Sequence, residues 1–506
     1  MDIKSLLTEY FTNTYNVNTR DCTIEMVDAL SLFVPERIDL IAKYKYIEER
    51  EKGRDVQWVR EVYSSHIEAF SLGKYTELGN DVKISIEAYF NAFDELIDDI
   101  KVNGYNKDIS IVPVGRNSVI LDGAHRTAIA AYFNIPLPIV RFEEHYVDFG
   151  WYFFSSRLLN PKYLDYIAIE NCKLRNDIYM ILFWPNGVTA ISRQGAVSVD
   201  DIISEKTSIV YVRSLNISYK GLANLMTQVY GNEEWLGSAR DGYAGARTKA
   251  LQCYGKSEKL LIYLVESKQK EAVAEIKQQI RDMLNIDRSS VHSTDNTAQT
   301  YTLCQVLLNE NSMHFIRNGN PTLFPDSIEK FDMFQTAMQK SDLDADEFII
   351  DSSGVMGIYG LRDIEDVDFL SSSEEYNKIE NDVIRNHFDY LTLYGTSLDQ
   401  LLYNPGNYLV FNGLKFTTLE IVKQMKLKRA EYKDKMDVKL ISDFLSSTGR
   451  NSAFRYYISR KANLILRNIM MGGLTIKILK STGTYEIVRW FYRKLFKKTT
   501  RRSVSS

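Results

Sequence analysis

Two stretches of this chain place side chains suited to phosphate or metal chemistry at usable spacings. In FIIDSSGVMGIYGLRDIEDVDFL, Asp366 and Asp368 alternate with Val367 and Phe369. Residues i and i+2 of a strand share a face, so both carboxylates project the same way, as a pair that holds a divalent metal must. The second stretch is VILDGAHRTAI, from Val119 to Ile129. An aliphatic run ends at Asp122-Gly123, and His125 and Arg126 open a helix-favouring run, giving strand, tight turn, helix. Backbone N–H groups and the dipole at such a helix start favour an anion, and His125 and Arg126 stand at its mouth. The plainer alternatives are that His125 caps the helix and that Asp122 closes the turn by bonding its own backbone.

Two further polar stretches could act on a ligand. WLGSARDGYAGARTKALQCY interleaves Arg240, Gly242, Gly245, Arg247 and Lys249, a basic glycine-interrupted loop able to hold a phosphate or sugar. His292, Thr294 and Asp295 precede a helix. Either stretch could instead be a loop that needs a flexible backbone or a cap.

The elements that must position these residues divide the chain into five parts. Residues 1–55 read as a helical N-terminal cap, with Leu6, Leu7, Tyr10, Phe11 and Met26, Leu30, Leu32, Phe33 at helical spacing. In residues 56–150, SIEAYFNAFDELIDDIKVNGY is an amphipathic helix stopped by Asn103-Gly104, followed by strand, Gly115-Arg116-Asn117 turn, strand, helix and strand. Residues 151–330 form a middle α/β unit with strands in NDIYMILFWPNG, TSIVYVRSLNIS and SEKLLIYLVES. Residues 331–448 carry the acidic strand, and NYLVFNGLKF reads as a later strand. Residues 449–506 mix Leu, Ile, Phe and Trp with Lys and Arg at helical spacing. The fold class is thus multidomain α/β and α+β.

Composition bounds the function. Of the 506 residues 45% are hydrophobic, ample for packed cores, and no apolar run reaches a membrane span. The four cysteines have neither CxxC nor disulfide-frame spacing, as expected of reduced cytosolic thiols. The net charge of −4 conceals an asymmetry: residues 449–506 hold 14 Lys/Arg against Glu486 alone, so the rest of the chain carries −17. An acidic body argues against nucleic acid as a partner. The basic amphipathic end suits peripheral contact with an anionic membrane, at the inner face for a cytoplasmic protein. The alternatives are docking of that end onto the acidic body, or a disordered basic end.

The run IVPVGRNSVILDGAHRTAIAAYFNIPLPIVRF resembles the ParB/sulfiredoxin-like superfamily, and within it the branch of small-molecule kinases that carries an Asp-Gly-His-His-Arg turn. Here Ala124 replaces the first His. The resemblance implies phosphate binding by Asp122, Gly123, His125 and Arg126, with His125 catalytic, and a nearby glutamate as base. Glu77, in the polar loop KYTELGNDVKIS, is the candidate; its plain reading is a solvated loop acid. The segment around Asp366 and Asp368 resembles the nucleotidyltransferase fold. That resemblance implies that Ser352 and Ser353 hold a nucleoside triphosphate while Asp366 and Asp368 bind Mg²⁺ and are catalytic. A third carboxylate is expected on a later strand, where NYLVFNGLKF offers only Asn412. The following helix, with Arg429, Lys433, Asp434 and Asp437, resembles the one that closes such domains, Lys433 reaching phosphate. The tract from Val291 to Asp295 is similar to sequences of bacterial surface-polysaccharide proteins.

Together these resemblances imply a nucleotide-dependent phosphotransferase, a kinase, a nucleotidyltransferase or both. Its cofactors would be Mg²⁺ and a nucleoside tri- or diphosphate, ATP foremost, and its substrate a small sugar or polyol precursor of surface polysaccharide. On this expectation Arg240 and Lys249 join the phosphate-binding set. A ParB-like nucleotide-gated binding protein without turnover, and a nucleotidyltransferase toxin of a defence system, are the alternatives.

Overall fold

A computed structural model describes residues 2–20, 22–76, 83–194, 198–231 and 233–446. Glu77 and residues 449–506 lie outside the described residues. The structure is mixed α/β, with three small sheets, each drawn from one continuous stretch of chain.

The first sheet has the order β1-β3-β2, with β1 at Glu25–Val27, β2 at Val112–Gly115 and β3 at Leu137–Phe142. β2 runs parallel to β3 and β1 antiparallel to it. The N-terminal stretch is therefore not a purely helical cap: Glu25, Met26 and Val27 pair with Ile139, Pro138 and Leu137. After β2 the chain turns through Asn117 and Ser118, at φ of 61° and 59°, and returns through a bridge between Val114 and Ile120. The amphipathic helix Ile86–Asn103 packs Tyr89, Phe90, Phe93, Ile97 and Ile100 inward. It starts where the Ser85 hydroxyl accepts from the Ala88 N–H and stops at Gly104, φ 71°.

The second sheet is antiparallel throughout, in the order β5-β6-β4-β7. Its strands are β4 Ile178–Phe183, β5 Ser208–Asn216, β6 Lys259–Glu266 and β7 Val291–Ser293. One face, with Ile181, Phe183, Tyr263, Val265 and Val291, is covered by Val273, Ile276 and Ile280 of the helix Lys270–Leu284.

The third sheet has the order β10-β9-β8-β12-β11, with β8 Ile349–Ile350, β9 Val367–Leu370, β10 Ile384–Asn386, β11 Tyr408–Phe411 and β12 Leu414–Thr417. β8 and β9 are antiparallel, while β9 with β10 and β8 with β12 are parallel. NYLVFNGLKF is a hairpin, not one strand: Asn412 and Gly413, at φ of 49° and 72°, supply the two positive-φ positions of its turn.

One continuous buried cluster, from Ala29 to Ile441, joins all three sheets. Ion pairs lie beside it: Asp346 meets Lys173 at 2.5 Å and Lys415 at 2.9 Å, and Lys45 meets Glu170 at 3.1 Å. Among the described residues no helix is long and apolar enough to cross a membrane.

Candidate functional site

The carboxyl end of β8 gathers the strongest set of chemical groups. Phe348, Ile349 and Ile350 are fully buried and anchor the strand. Asp351 follows, and Ser352 then adopts φ 50°, a left-handed turn unusual for serine, before the short helix Ser352–Ile358. The Asp351 N–H donates to the Asp368 carbonyl at 3.0 Å, which sets the two carboxylates side by side on neighbouring strands. The His387 N–H donates to the Phe369 carbonyl at 2.7 Å, bringing the imidazole in from the end of β10. Ligand atoms of Asp351, Asp368 and His387 all lie within 4.8 Å of one another, and His387 Nε2 is 3.1 Å from Asp368 Oδ1.

Both Asp351 carboxylate oxygens, the Ser353 hydroxyl and the Thr417 hydroxyl are buried without a hydrogen-bond partner in the protein. Thr417 follows Phe416, which pairs with Ile350, so parallel register sets it beside Asp351. Buried polar atoms are rarely left unpaired, because each costs about 1–3 kcal/mol. Four such atoms are concentrated here, around the Asp351 carboxylate.

Burial, and then the neighbouring Asp368, hold Asp351 well above the usual carboxylate range. Burial, and then Asp366, push Asp368 up to about 7. Burial lowers the His387 imidazole, favouring its neutral form. Behind the acids stands a cationic frame from the helices Leu419–Arg429 and Tyr432–Leu445. Lys426, with a fully buried side chain, lies 3.0 Å from Asp437 and 3.4 Å from Asp434. Arg429 grips Asp434 through two nitrogens, at 3.0 and 2.8 Å, and Arg362 lies 3.2 Å from Asp437. Lys426 and Arg429 partly offset the charge of Asp351 and Asp368 without bonding either.

Asp366 and Asp368 stand at the start of β9, but only Asp368 belongs to the close group. Asp366 is half-buried at the rim, 3.8 Å from Arg385. The further acid is Asp351, on the strand before the turn, and not a residue of NYLVFNGLKF. Ser352 and Ser353 sit beside it, both buried. Lys433 is at the surface, 3.3 Å from Glu431, and its charge reaches His387.

The helix start at Asp122 is differently disposed. Asp122 Oδ1 accepts from the Gly123 N–H at 2.6 Å and Oδ2 from the Thr8 hydroxyl at 2.8 Å, so this acid closes its turn. Gly123 has φ +84°, and a Cβ there would meet the Arg126 guanidinium. Arg126 folds back toward Asp122, at 3.7 Å, and toward Tyr105. His125 is not at the mouth of the turn: its Nε2 shares a 2.8 Å hydrogen bond with the Tyr63 hydroxyl and its ring packs edge-on to Phe93. Burial, with Lys83 and Lys43 nearby, keeps that imidazole neutral.

The basic loop is likewise engaged in holding itself. Arg240 pairs with Glu329 and Asp326, tying the loop to the helix Pro325–Lys340. Asp241 accepts from the N–H groups of Ser238 and Ala244, and Arg247 donates to the carbonyls of Asp241 and Gly242. Lys249 donates to the Arg288 carbonyl at 2.9 Å. Comparison with family models, with curated proteins and with solved structures returns no match.

Proposed function

We propose that this protein is a divalent-metal-dependent phosphotransferase of nucleotidyltransferase type, with its active site at Asp351, Asp368 and His387. The reading rests on one observation: two adjacent buried carboxylates, that of Asp351 without a hydrogen-bond partner at either oxygen, converge with an imidazole within 4.8 Å. The order of apolar strand, Ser-Ser-Gly turn, helix and D-h-D strand supports it, being the order of the nucleotidyltransferase resemblance. The substrate class we infer is a nucleoside triphosphate, ATP first, with a small hydroxylated acceptor such as a sugar or polyol.

The residues fit a divalent cation. Asp351 and Asp368 would hold it, His387 would complete the set, and Asp366 at the rim is placed to join on closure around a substrate. Mg²⁺ suits the carboxylates, while the imidazole extends the choice to Mn²⁺. Such an ion, when bound, neutralises charge developing on phosphate oxygens. The chain's own groups do the rest. Ser353 has a hydroxyl proton to donate to a phosphate oxygen. Arg385 and Lys433, at the exposed edge, supply positive charge to the outer phosphates. Lys426 and Arg429 keep the two acids from collecting protons so fully that no cation could compete. Phosphoryl chemistry asks chiefly for such positioning and charge.

The test is nucleotide turnover with Mg²⁺ or Mn²⁺ across ATP, ADP, CTP, GTP and UTP. Asp351→Asn and Asp368→Asn should each lower turnover at least a hundredfold, as loss of a metal ligand does, while leaving the protein folded. Unchanged turnover in the double variant rejects the assignment.

A further inference from the structure

The open edge of the second sheet carries a second constellation, of opposite charge to the first. Lys277 and Arg281 stand one turn apart on the helix Lys270–Leu284, so they share a face, an unfavourable arrangement for like charges. Lys249, from the helix Ala244–Cys253, approaches the same edge strand. All three cations act on His292 at the centre of β7. Among the described residues none of the three has an ion-pair partner. Lys249 donates to the Arg288 carbonyl and Arg281 to the Val291 carbonyl at 3.1 Å, but Arg281 Nε is buried with no acceptor. His292 Nε2 is also buried without a partner, and its Nδ1 has only a 3.4 Å contact with the Tyr230 hydroxyl. The one acid whose charge reaches Lys277 is Asp295, which makes no ion pair with it.

An aromatic pair adjoins the cations. The Tyr230 ring lies 5.3 Å from His292 on one side and 5.2 Å from Trp235 on the other. Trp235 is 46% exposed, an open indole where burial is the rule. Gly245 allows this: a Cβ there would overlap the Trp235 carbonyl, so only glycine lets the Lys249 helix come this close. Gly245 and Lys249 of the loop are thus brought beside the His292 tract.

We propose that this edge is a binding site for a phosphorylated small molecule, its phosphate held by Lys249, Lys277 and Arg281 and its ring stacked on Trp235. Three cations with no ion-pair partner among the described residues, and only Asp295 acting on Lys277 from a distance, leave an excess of positive charge that a phosphate mono- or dianion satisfies, and Arg281 Nε and His292 supply directional partners. An exposed indole beside these cations offers a flat face to a nucleobase or to the apolar face of a sugar ring. The site is separate from the acidic one and does not depend on turnover there.

The test is calorimetric titration of the full chain at low salt, with a chelator present to silence metal-dependent binding at Asp351 and Asp368. The probes are inorganic pyrophosphate, AMP, glucose 1-phosphate, adenosine and glucose. The wild type should bind the phosphorylated probes and neither unphosphorylated one. Lys277→Gln with Arg281→Gln should weaken every phosphorylated probe tenfold or more. Trp235→Ala should weaken AMP or glucose 1-phosphate, whichever is preferred, and leave pyrophosphate unchanged; that preference separates a nucleotide from a sugar phosphate. Asp351→Asn should leave binding of these probes under chelation unchanged, whatever it does to turnover at the acidic site. Lys277→Gln alone, on a half-exposed helix face, serves as the variant certain to fold, with a smaller loss. The proposal is overturned if the wild type binds no phosphorylated probe at millimolar concentration, if the double variant binds as the wild type does, or if Asp351→Asn removes binding.

Discussion

Replacing Asp368 by Asn should make the metal-free protein more stable above neutral pH while removing the nucleotide turnover proposed for it. Asp368 is 6% exposed, and its carboxyl is pushed up to about 7 from 3.8. For an acid whose folded value lies above its unfolded one, the folded state holds the proton longer, so stability falls as pH rises between the two values and is level beyond them. Below pH 3.8 the group contributes no difference; by pH 8 its ionisation costs the fold about 4 kcal/mol, at about 1.4 kcal/mol per pH unit. Asp351 shares that strain, so the figure belongs to the pair and sets a ceiling for either single variant. The assay is urea denaturation of the wild type and Asp368→Asn at intervals from pH 5 to 8.5, with chelator and again with Mg²⁺ or Mn²⁺. With chelator, the two proteins should draw together toward pH 5, separate steadily toward pH 7 and hold that gap at pH 8, the variant being the more stable. With metal, the wild type should recover by roughly 3 kcal/mol at a hundredfold excess over the dissociation constant, and the variant should not respond. A variant as stable as or less stable than the wild type at pH 8 under chelation would refute the claim that the two acids are held under electrostatic strain.

Three other outcomes follow from the same packing. Asp346→Ala leaves Lys173 and the buried Lys415 without their shared acid, and should cost about 3 kcal/mol in urea denaturation at pH 7. Because those lysines hold the Asp346 carboxyl well below its usual range, its contribution is present above pH 3.8 and should fade in acid below it. Ser353→Ala removes a hydroxyl with no partner in the protein, so the melting temperature should hold or rise slightly while nucleotide turnover falls tenfold or more. Asp122→Ala opens a turn bonded to Gly123 and Thr8, and should lower stability by about 1–2 kcal/mol with nucleotide turnover unchanged; a lost turnover would restore that turn as a catalytic site.

What the sequence makes legible here is local, and what it hides is set by partners distant in the chain. Asp368 is readable because D-h-D alternation carries its own geometry. Asp351 looks like an ordinary capping acid ahead of Ser352-Ser353, and it becomes a site residue only when its N–H meets the Asp368 carbonyl across two strands. His387 carries no local signal; the parallel register of β9 and β10 brings it in. The strand–turn–helix at Asp122 is written in its residues, but the direction of the His125 ring is decided by Tyr63 of the helix Gln57–Ser71. β1 spans three residues, exposed or half-exposed, too short for any period to show. Asn412-Gly413 is different in kind: that dipeptide is a hairpin signal, and the apolar run on both sides masked it.

The cationic frame explains why the acids remain acids. Two adjacent buried carboxylates, that of Asp351 with no hydrogen bond at either oxygen, are costly to ionise in a dry interior. Lys426, Arg429 and Arg362 lie close enough to favour the ionised forms, yet each is already ion-paired with Asp434 or Asp437. Their field therefore reaches Asp351 and Asp368 while their donors do not, which leaves the carboxylate oxygens free for a further cation. Lys426→Met tests this directly. It strands Asp434 and Asp437 and removes the positive charge behind the site. Stability should drop by about 3–5 kcal/mol, and the survivors should bind Mg²⁺ only at higher pH than the wild type, because Asp351 and Asp368 would hold their protons longer. A Lys426→Met protein that melts as the wild type does and binds Mg²⁺ with the same pH midpoint would mean that the frame is packing alone.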